Sequence, residues 1–235
     1  MGVLNSVKPQ PSSGLLFNPP SLETVLSLTG VPFDGGTIRD VSPYGNNGTI
    51  TEAVWGKTPS GVPYLTFDGT NDVVNCSNGA SLSLTGAASF ECWLYFSVAA
   101  ADYVMGNYNA AGALGQYGLE KLSTHYLRFY QTGAGGSTLV SGTTQACTIN
   151  KWNHIRWTRV SATGTITLYV NDVADATTGT STATTICADG DRGNTTIGML
   201  GSYATNPWTG RIALPRLYNT VVPSHFKEER ILFGV

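Results

Sequence analysis

The chain has 235 residues, a formal net charge of −2 and only 12% charged residues, against roughly 25% in an ordinary globular protein. That balance excludes the basic footprint of a protein that grips nucleic-acid backbone. The length allows one sizeable core that needs no metal or disulfide to fold, and the 28 glycines favour strands and tight turns over long surface helices.

Residues 1–20 stand apart from the rest. Pro9, Pro11, Pro19 and Pro20 keep this segment extended, and Leu15, Leu16 and Phe17 form a small apolar cluster within it. Two readings compete: a disordered tail, or an arm that docks Leu15, Leu16 and Phe17 on a neighbouring subunit. Met1–Ser6 matches the short and common myristoylation pattern at Gly2. No apolar segment of a secretory signal follows Met1. The most apolar stretch, Phe90–Met105, is broken by Glu91 and Asp102 and is too short to span a membrane.

Residues 21–235 read as one domain. A first strand is expected over Leu22–Thr29, followed by a structured loop, Arg39-Asp40-Val41-Ser42-Pro43-Tyr44-Gly45-Asn46-Asn47-Gly48-Thr49, dense in turn formers. Strands are expected at Thr49–Trp55, Pro63–Phe67 and Asp72–Cys76, the last two joined by a turn with an Asp68-Gly69 step. In Ser89–Phe96 the side chains of Phe90, Cys92, Leu94 and Phe96 share one face, and Glu91, Trp93 and Tyr95 the other. Both faces carry large apolar groups, so cover is expected on both sides, and Glu91 reads as a buried carboxylate satisfied by partners, with a binding role as the alternative. Further runs fall at His125–Gln131 and Ser137–Ser141.

Trp152–Val173 is the clearest stretch. It alternates, breaks at Ser161–Gly164 and alternates again, with Ile166, Leu168 and Val170 on one face. This predicts a hairpin near the centre of a sheet, followed by a turn at Asn171-Asp172, both of which tolerate left-handed backbone. Strands at Thr195–Met199 and Trp208–Tyr218 complete the pattern. Pro223–Phe233 predicts the one helix, capped by Ser224, ended by Gly234, with Phe226, Ile231 and Leu232 toward the core. Many short strands with one short helix specify an all-β antiparallel sandwich.

No catalytic constellation emerges. His125, His154 and His225 are scattered, without a nucleophile elbow or a zinc-binding His pair. Four cysteines, Cys76, Cys92, Cys147 and Cys187, lack zinc-site spacing. Cys92 reads as a buried thiol, and Cys147 and Cys187 bracket the central hairpin, where a disulfide is an alternative to free thiols. Asp189, Asp191 and Asn194 resemble half of a calcium loop, although no bidentate acid closes it and a solvent-facing turn competes. For sugar binding, which needs aromatic platforms with convergent polar groups, the candidates are Tyr203, Asn206 and Trp208, then Tyr108 and Asn109. Core packing competes for Trp208.

Taken in order, residues 39–49, Leu65–Val74, Ser89–Phe96, Lys151–Val160 with Thr165–Val173, Thr195–Leu200 and Trp208–Asn219 resemble the laminin-G-like, concanavalin A-like lectin/glucanase jelly roll, in the version found in phage and bacterial proteins. The resemblance implies a two-sheet jelly-roll sandwich. Ala213 and Leu214 stand where the family often has an acidic pair that helps hold calcium. The alternating carboxylates of the glucanase branch are absent from the sequence, which leaves glycoside hydrolysis without its acid and nucleophile. The expectation is therefore a non-enzymatic protein. The leading reading is a virion structural component, a capsid decoration or tail-associated protein at the virion surface, anchored to virion proteins or its own copies through the N-terminal arm. It rests on fold-level analogy and composition. The alternative is a carbohydrate-binding module of a secreted or cell-surface protein that meets cell-surface glycans.

Overall fold

A computed structural model describes residues 21–29, 35–111, 113–201 and 206–235. Strands β1 (Thr24–Ser27), β2 (Thr37–Ile38), β3 (Gly48–Thr51), β4 (Val54–Lys57), β5 (Pro63–Asp68) and β6 (Val73–Asn75) come first. β7 (Ala88–Tyr95), β8 (Asp102–Gly106), β9 (Gly115–Lys121), β10 (Tyr126–Gly133) and β11 (Gly136–Ala146) follow. β12 (Trp152–Arg159), β13 (Thr165–Val170), β14 (Val173–Thr180), β15 (Thr196–Ile197) and β16 (Thr209–Tyr218) lead to a short helix, α1 (Phe226–Glu229), which tightens into a 3-10 turn at Arg230–Phe233.

Two antiparallel sheets stack face to face. The first has the order β14-β13-β12-β7-β16-β5-β4, with β1 also on β16. The second runs β11-β10-β9-β8-β15-β6-β3-β2. The jumps between non-consecutive neighbours are the crossovers of a jelly roll, and the sandwich expected from the sequence is the fold observed. The main core lies between the sheets and includes Phe67, Phe90, Leu94, Leu119, Phe129 and Trp157. Alternation does what it should: on β13, Ile166, Leu168 and Val170 are buried while Thr165, Thr167 and Tyr169 are not.

The expected central hairpin forms, with Trp157 opposite Leu168. Its turns are where the sequence places them: Gly164 N–H donates to the Ser161 carbonyl at 3.1 Å, and Asn171 and Asp172 take φ of 51° and 65°. The hairpin lies beside the centre of its sheet, with β12 paired to the middle strand. β7 holds the middle place of the first sheet's row, and its neighbours β12 and β16 are, like it, buried on both faces over most of their length. Thr49–Trp55, expected as one strand, is two. β3 belongs to the second sheet and β4 to the first, and the chain changes sheets at Glu52, which sits in the left-handed region at φ 60°.

The C-terminal segment also differs in detail. Ser224 does accept from the Phe226 N–H, at 3.2 Å, and Gly234 ends the segment at φ 71°. But Ile231 is 76% exposed, and Phe233 is buried instead. A 3-10 turn has three residues per turn rather than 3.6, which rotates the last residues away from the face an α-helix would present.

The four cysteines are buried free thiols, so Cys147 and Cys187 are not bridged. Burial pushes the Cys147 thiol up to about 12 and the Cys187 thiol up to about 11, which keeps both protonated and unreactive.

Where the edge strands of the two sheets meet, Asp175 on β14 accepts from the backbone N–H groups of Thr143, Thr144 and Gln145 on β11 and from Thr177. Burial works against its charge, yet these four backbone donors hold the carboxyl at about 2. The staple satisfies edge donors that would otherwise invite another strand. Among the described residues, no helix is long and apolar enough to cross a membrane.

Candidate functional site

The predicted site residues scatter. Leu15, Leu16 and Phe17 of the arm, and Tyr203 of the sugar loop, lie outside the described residues. Trp208 is fully buried. Its ring meets Phe96 edge-on at 6.1 Å, and the Lys121 amine lies 5.8 Å from it. It is a core residue and not a sugar platform, because it enters the sandwich at the head of β16. Asn206 is exposed in the left-handed region at φ 51°, and its carbonyl accepts from Tyr103 N–H at 2.8 Å.

Tyr108 and Asn109 are half-buried. Tyr108 meets Tyr130 edge-on at 5.5 Å. The Asn109 side chain donates to the Asp191 carbonyl at 3.1 Å and accepts from Ala111 N–H at 3.1 Å, so its amide is spent on holding two loops together. The calcium expectation for Asp189, Asp191 and Asn194 finds no geometry to support it. Asp189 is ion-paired to Arg192 at 2.7 Å, which holds its carboxyl below the usual range. Arg192 goes on to the carbonyls of Asn78 and Gly79, and the guanidinium takes the carboxylate a cation would need. Among the described residues, no group of three or more His, Cys, Asp or Glu is placed to hold a metal.

A cluster of buried charges sits on the outer face of the first sheet, under α1. Glu91 accepts from Tyr218 O–H at 3.0 Å and from Arg216 Nη1 at 3.3 Å, and bonds the His225 ring. His154 Nε2 lies 3.3 Å from it. Arg216 also binds Glu229, which accepts from the Trp93 indole N–H at 2.8 Å. Glu91, Glu229 and His154 are each 1% exposed, so no substrate reaches them. Glu91 is the satisfied carboxylate that the alternation of β7 predicts. Burial alone would raise its pKa, but the neighbouring His154 and His225 rings and the Arg216 guanidinium hold it well below the usual carboxylate range.

Beside this covered patch the same face opens into an aromatic platform. The strand register builds it: Val54 pairs with Thr66, Thr66 with Arg211, Arg211 with Tyr95, and Tyr95 with Trp152. Cross-strand partners share a face, so these residues form one outward row, and Tyr64 stands beside it, two positions from Thr66 on β5. Tyr64, Tyr95, Trp152 and Arg211 are all half-buried. The Trp152 ring lies 5.5 Å from Tyr64 and 5.7 Å from Tyr95, tilted by 56° and 58°. The Arg211 guanidinium lies over both tyrosines, at 5.1 and 4.7 Å. Phe233 meets Trp152 edge-on at 5.0 Å, and Trp152 and Tyr64 both pack on the small apolar cluster that holds Phe233. Gly56 makes room for Tyr64, since a Cβ there would come within 2.4 Å of the ring.

Sequence reasoning missed this platform. The outward position of Tyr95 was legible from the alternation of β7. Its meeting with Tyr64, Trp152 and Arg211 depends on the register of four strands far apart in the chain.

In the solved structures the chain is similar to the binding domain of botulinum neurotoxin DC in complex with SialylT, with a TM-score of 0.60 and 14% identity over 90% of this chain and 51% of that one. It is also similar to the Trypanosoma rangeli sialidase in complex with sialic acid, with a TM-score of 0.62 and 18% identity over 92% of this chain and 33% of that one. A further complex of that sialidase, with 2,3-difluoro-KDN, gives a TM-score of 0.65 at 16% identity over 97% of this chain and 36% of that one. The chain thus spans about half the length of the toxin domain and about a third of the sialidase. No curated protein sequence matches it. The model of the concanavalin A-like lectin/glucanases superfamily matches residues 68–225, a range that runs from the end of β5 to the threshold of α1 and holds Tyr95, Trp152 and Arg211, and the chain belongs to that superfamily.

Proposed function

We propose that this domain is a non-enzymatic glycan-binding module and that sugars dock on the platform of Tyr64, Tyr95, Trp152 and Arg211. The observation that carries the reading is the platform itself: three half-buried rings and a guanidinium gathered from four strands of a rigid sheet. Apolar pyranose faces stack on such rings, and the nearby polar groups fix their orientation. The neighbours in complex with SialylT and sialic acid share the fold alone at this identity, and they support the ligand class only by analogy. The non-enzymatic part rests on the commitments of four buried acids. Glu91 and Glu229 are tied to Arg216, Glu120 to Arg128, and Asp175 to backbone. None of them is poised across an open cleft, as glycoside hydrolysis requires.

A glycan array with the whole chain should show binding in the millimolar to micromolar range. Trp152→Ala should weaken it at least tenfold, about 1.4 kcal/mol, while Tyr108→Ala, in the loop between β8 and β9 of the other sheet, leaves it unchanged. A flat array would count against the reading, and loss on Tyr108→Ala alone would move the site to the second sheet.

A second reading concerns where the domain is displayed. The apolar Leu15-Leu16-Phe17 cluster in a Pro-rich segment supports an arm that anchors the domain to its own copies or to other proteins of a virion surface. Replacing Leu15, Leu16 and Phe17 with Ser should turn a defined oligomer into a monomer by light scattering, with an unchanged circular dichroism spectrum. An unchanged mass would remove the arm from assembly.

A further inference from the structure

We infer that the platform selects saccharides bearing an oxyanion, a carboxylate or a sulfate ester, and that Arg211 reads it; this rests on the glycan-binding reading above. Most of the other arginines of this sandwich are spent on the protein itself. Arg159 is fully buried and donates to the carbonyls of Gly86, Gln116 and Leu84 and to the Gln131 side chain. Arg192 and Arg216 are spent on carboxylates, as is Arg128 on Glu120. Arg156 donates to the Val222 carbonyl. Each spends donors on protein acceptors, although Arg192 Nη1 is buried without one.

Arg211 differs. It is half-buried, and among the described residues its guanidinium has neither a hydrogen bond nor a carboxylate partner; what it has is two tyrosine rings, at 5.1 and 4.7 Å. Its charge is thereby fixed in place by cation–π contacts, while its fork of N–H donors is left to solvent. Asp68 lies on the same face two positions along β5, but its carboxylate accepts from Thr70 N–H at 2.8 Å. A preorganised, unspent guanidinium is the donor array that matches a planar carboxylate in two parallel hydrogen bonds, and it also accepts sulfate.

The platform then divides its labour. Tyr64 and Tyr95 give ring area to Arg211 and position it. Trp152, held edge-on by Phe233, offers the stacking surface. An occupant that satisfies both is a sugar with an apolar face and an adjacent oxyanion. A neutral sugar uses only half of the site and leaves the guanidinium hydrated.

The test uses calorimetry on the whole chain at low salt with three ligands of one sugar type: an oligogalacturonide, a sulfated galactan oligosaccharide and a neutral galacto-oligosaccharide. At least one of the two anionic ligands should bind ten times tighter than the neutral one, and the pair shows which oxyanion fits. Arg211→Gln should erase that preference and leave weak binding of the neutral sugar. Equal affinities for anionic and neutral sugars would overturn the inference while leaving glycan binding standing. A preference that survives Arg211→Gln would also overturn it, because the anion would then be read elsewhere. No binding of these three ligands by the unmodified chain overturns the inference, and together with a flat glycan array it sinks both readings.

Discussion

Replacing Arg216 with Met is expected to cost about 3–5 kcal/mol of folding free energy, because it leaves two buried carboxylates without their shared cation. Arg216 bridges Glu91 and Glu229, each 1% exposed, and their charges pull its own pKa up against the pull of burial. Glu229 is the only buried member of α1. It also accepts from Trp93, whose ring stacks on Phe233 at 4.1 Å. Loss of the guanidinium therefore undocks the C-terminal segment from the sheet as well as charging the interior. The check is urea denaturation, where the midpoint should drop sharply, together with proteolysis, where cleavage should begin beyond Tyr218. Arg216→Lys keeps the charge without the fork and should fall between the two. The pH dependence follows from Glu91. Its folded carboxyl lies below the unfolded value of about 4.3, so its stabilising contribution is complete above that pH and is lost as pH falls through the folded value. Without Arg216 one cause of that lowering is gone, and acid unfolding should begin at higher pH. An Arg216→Met protein with an unchanged midpoint would mean that the cluster does not hold the helix.

Much of this architecture is legible in the chain, and the reason is local. Alternation reports which side chains share a face, so the two-sided cover of β7 and the buried Glu91 follow from Ser89–Phe96 alone. The turn at Asn171-Asp172 follows from the backbone freedom of those residues. What alternation cannot report is the partner. Trp208 looks the same in sequence whether it stacks a sugar or fills a core, and only its place at the head of β16 decides. Asp189 looks like a metal ligand until Arg192, three residues on, claims its carboxylate. Tyr64, Tyr95, Trp152 and Arg211 come from four strands, and a one-residue slip in any of them would send its side chain to the other face. The platform is a property of register, and register is set by the whole sandwich.

Asp40→Ala is expected to be the second large effect, on the order of 3–5 kcal/mol, and it accounts for the turn-rich loop at residues 39–49. One Asp40 carboxylate accepts from the backbone N–H of Ser27 at 2.8 Å, Ser42 at 2.9 Å and Asn46 at 2.7 Å, and from the Ser42 hydroxyl. Asn47 closes the loop by accepting from Asp40 N–H at 3.0 Å, and Asn46 reaches the Val25 carbonyl at 2.7 Å and Ser81 Oγ at 2.8 Å. Gly48 completes the set, since a Cβ there would stand 2.3 Å from Val74. Removing the carboxylate strands three backbone donors, each worth about 1–3 kcal/mol when buried and unmet, with water relieving those nearest the surface. Asp40→Asn should recover only part of the loss, because its amide places a donor where the carboxylate accepts from all sides. Hydrogen exchange should quicken first at Ser27 and Asn46. The consequence reaches the platform, because Ser27 belongs to β1, which pairs with β16 at Arg216, on the same strand that carries Arg211 outward. If Asp40→Ala leaves exchange at Ser27 and Asn46 unchanged, the loop is held by Asn46 and Asn47 instead, and the acid is dispensable to the sandwich.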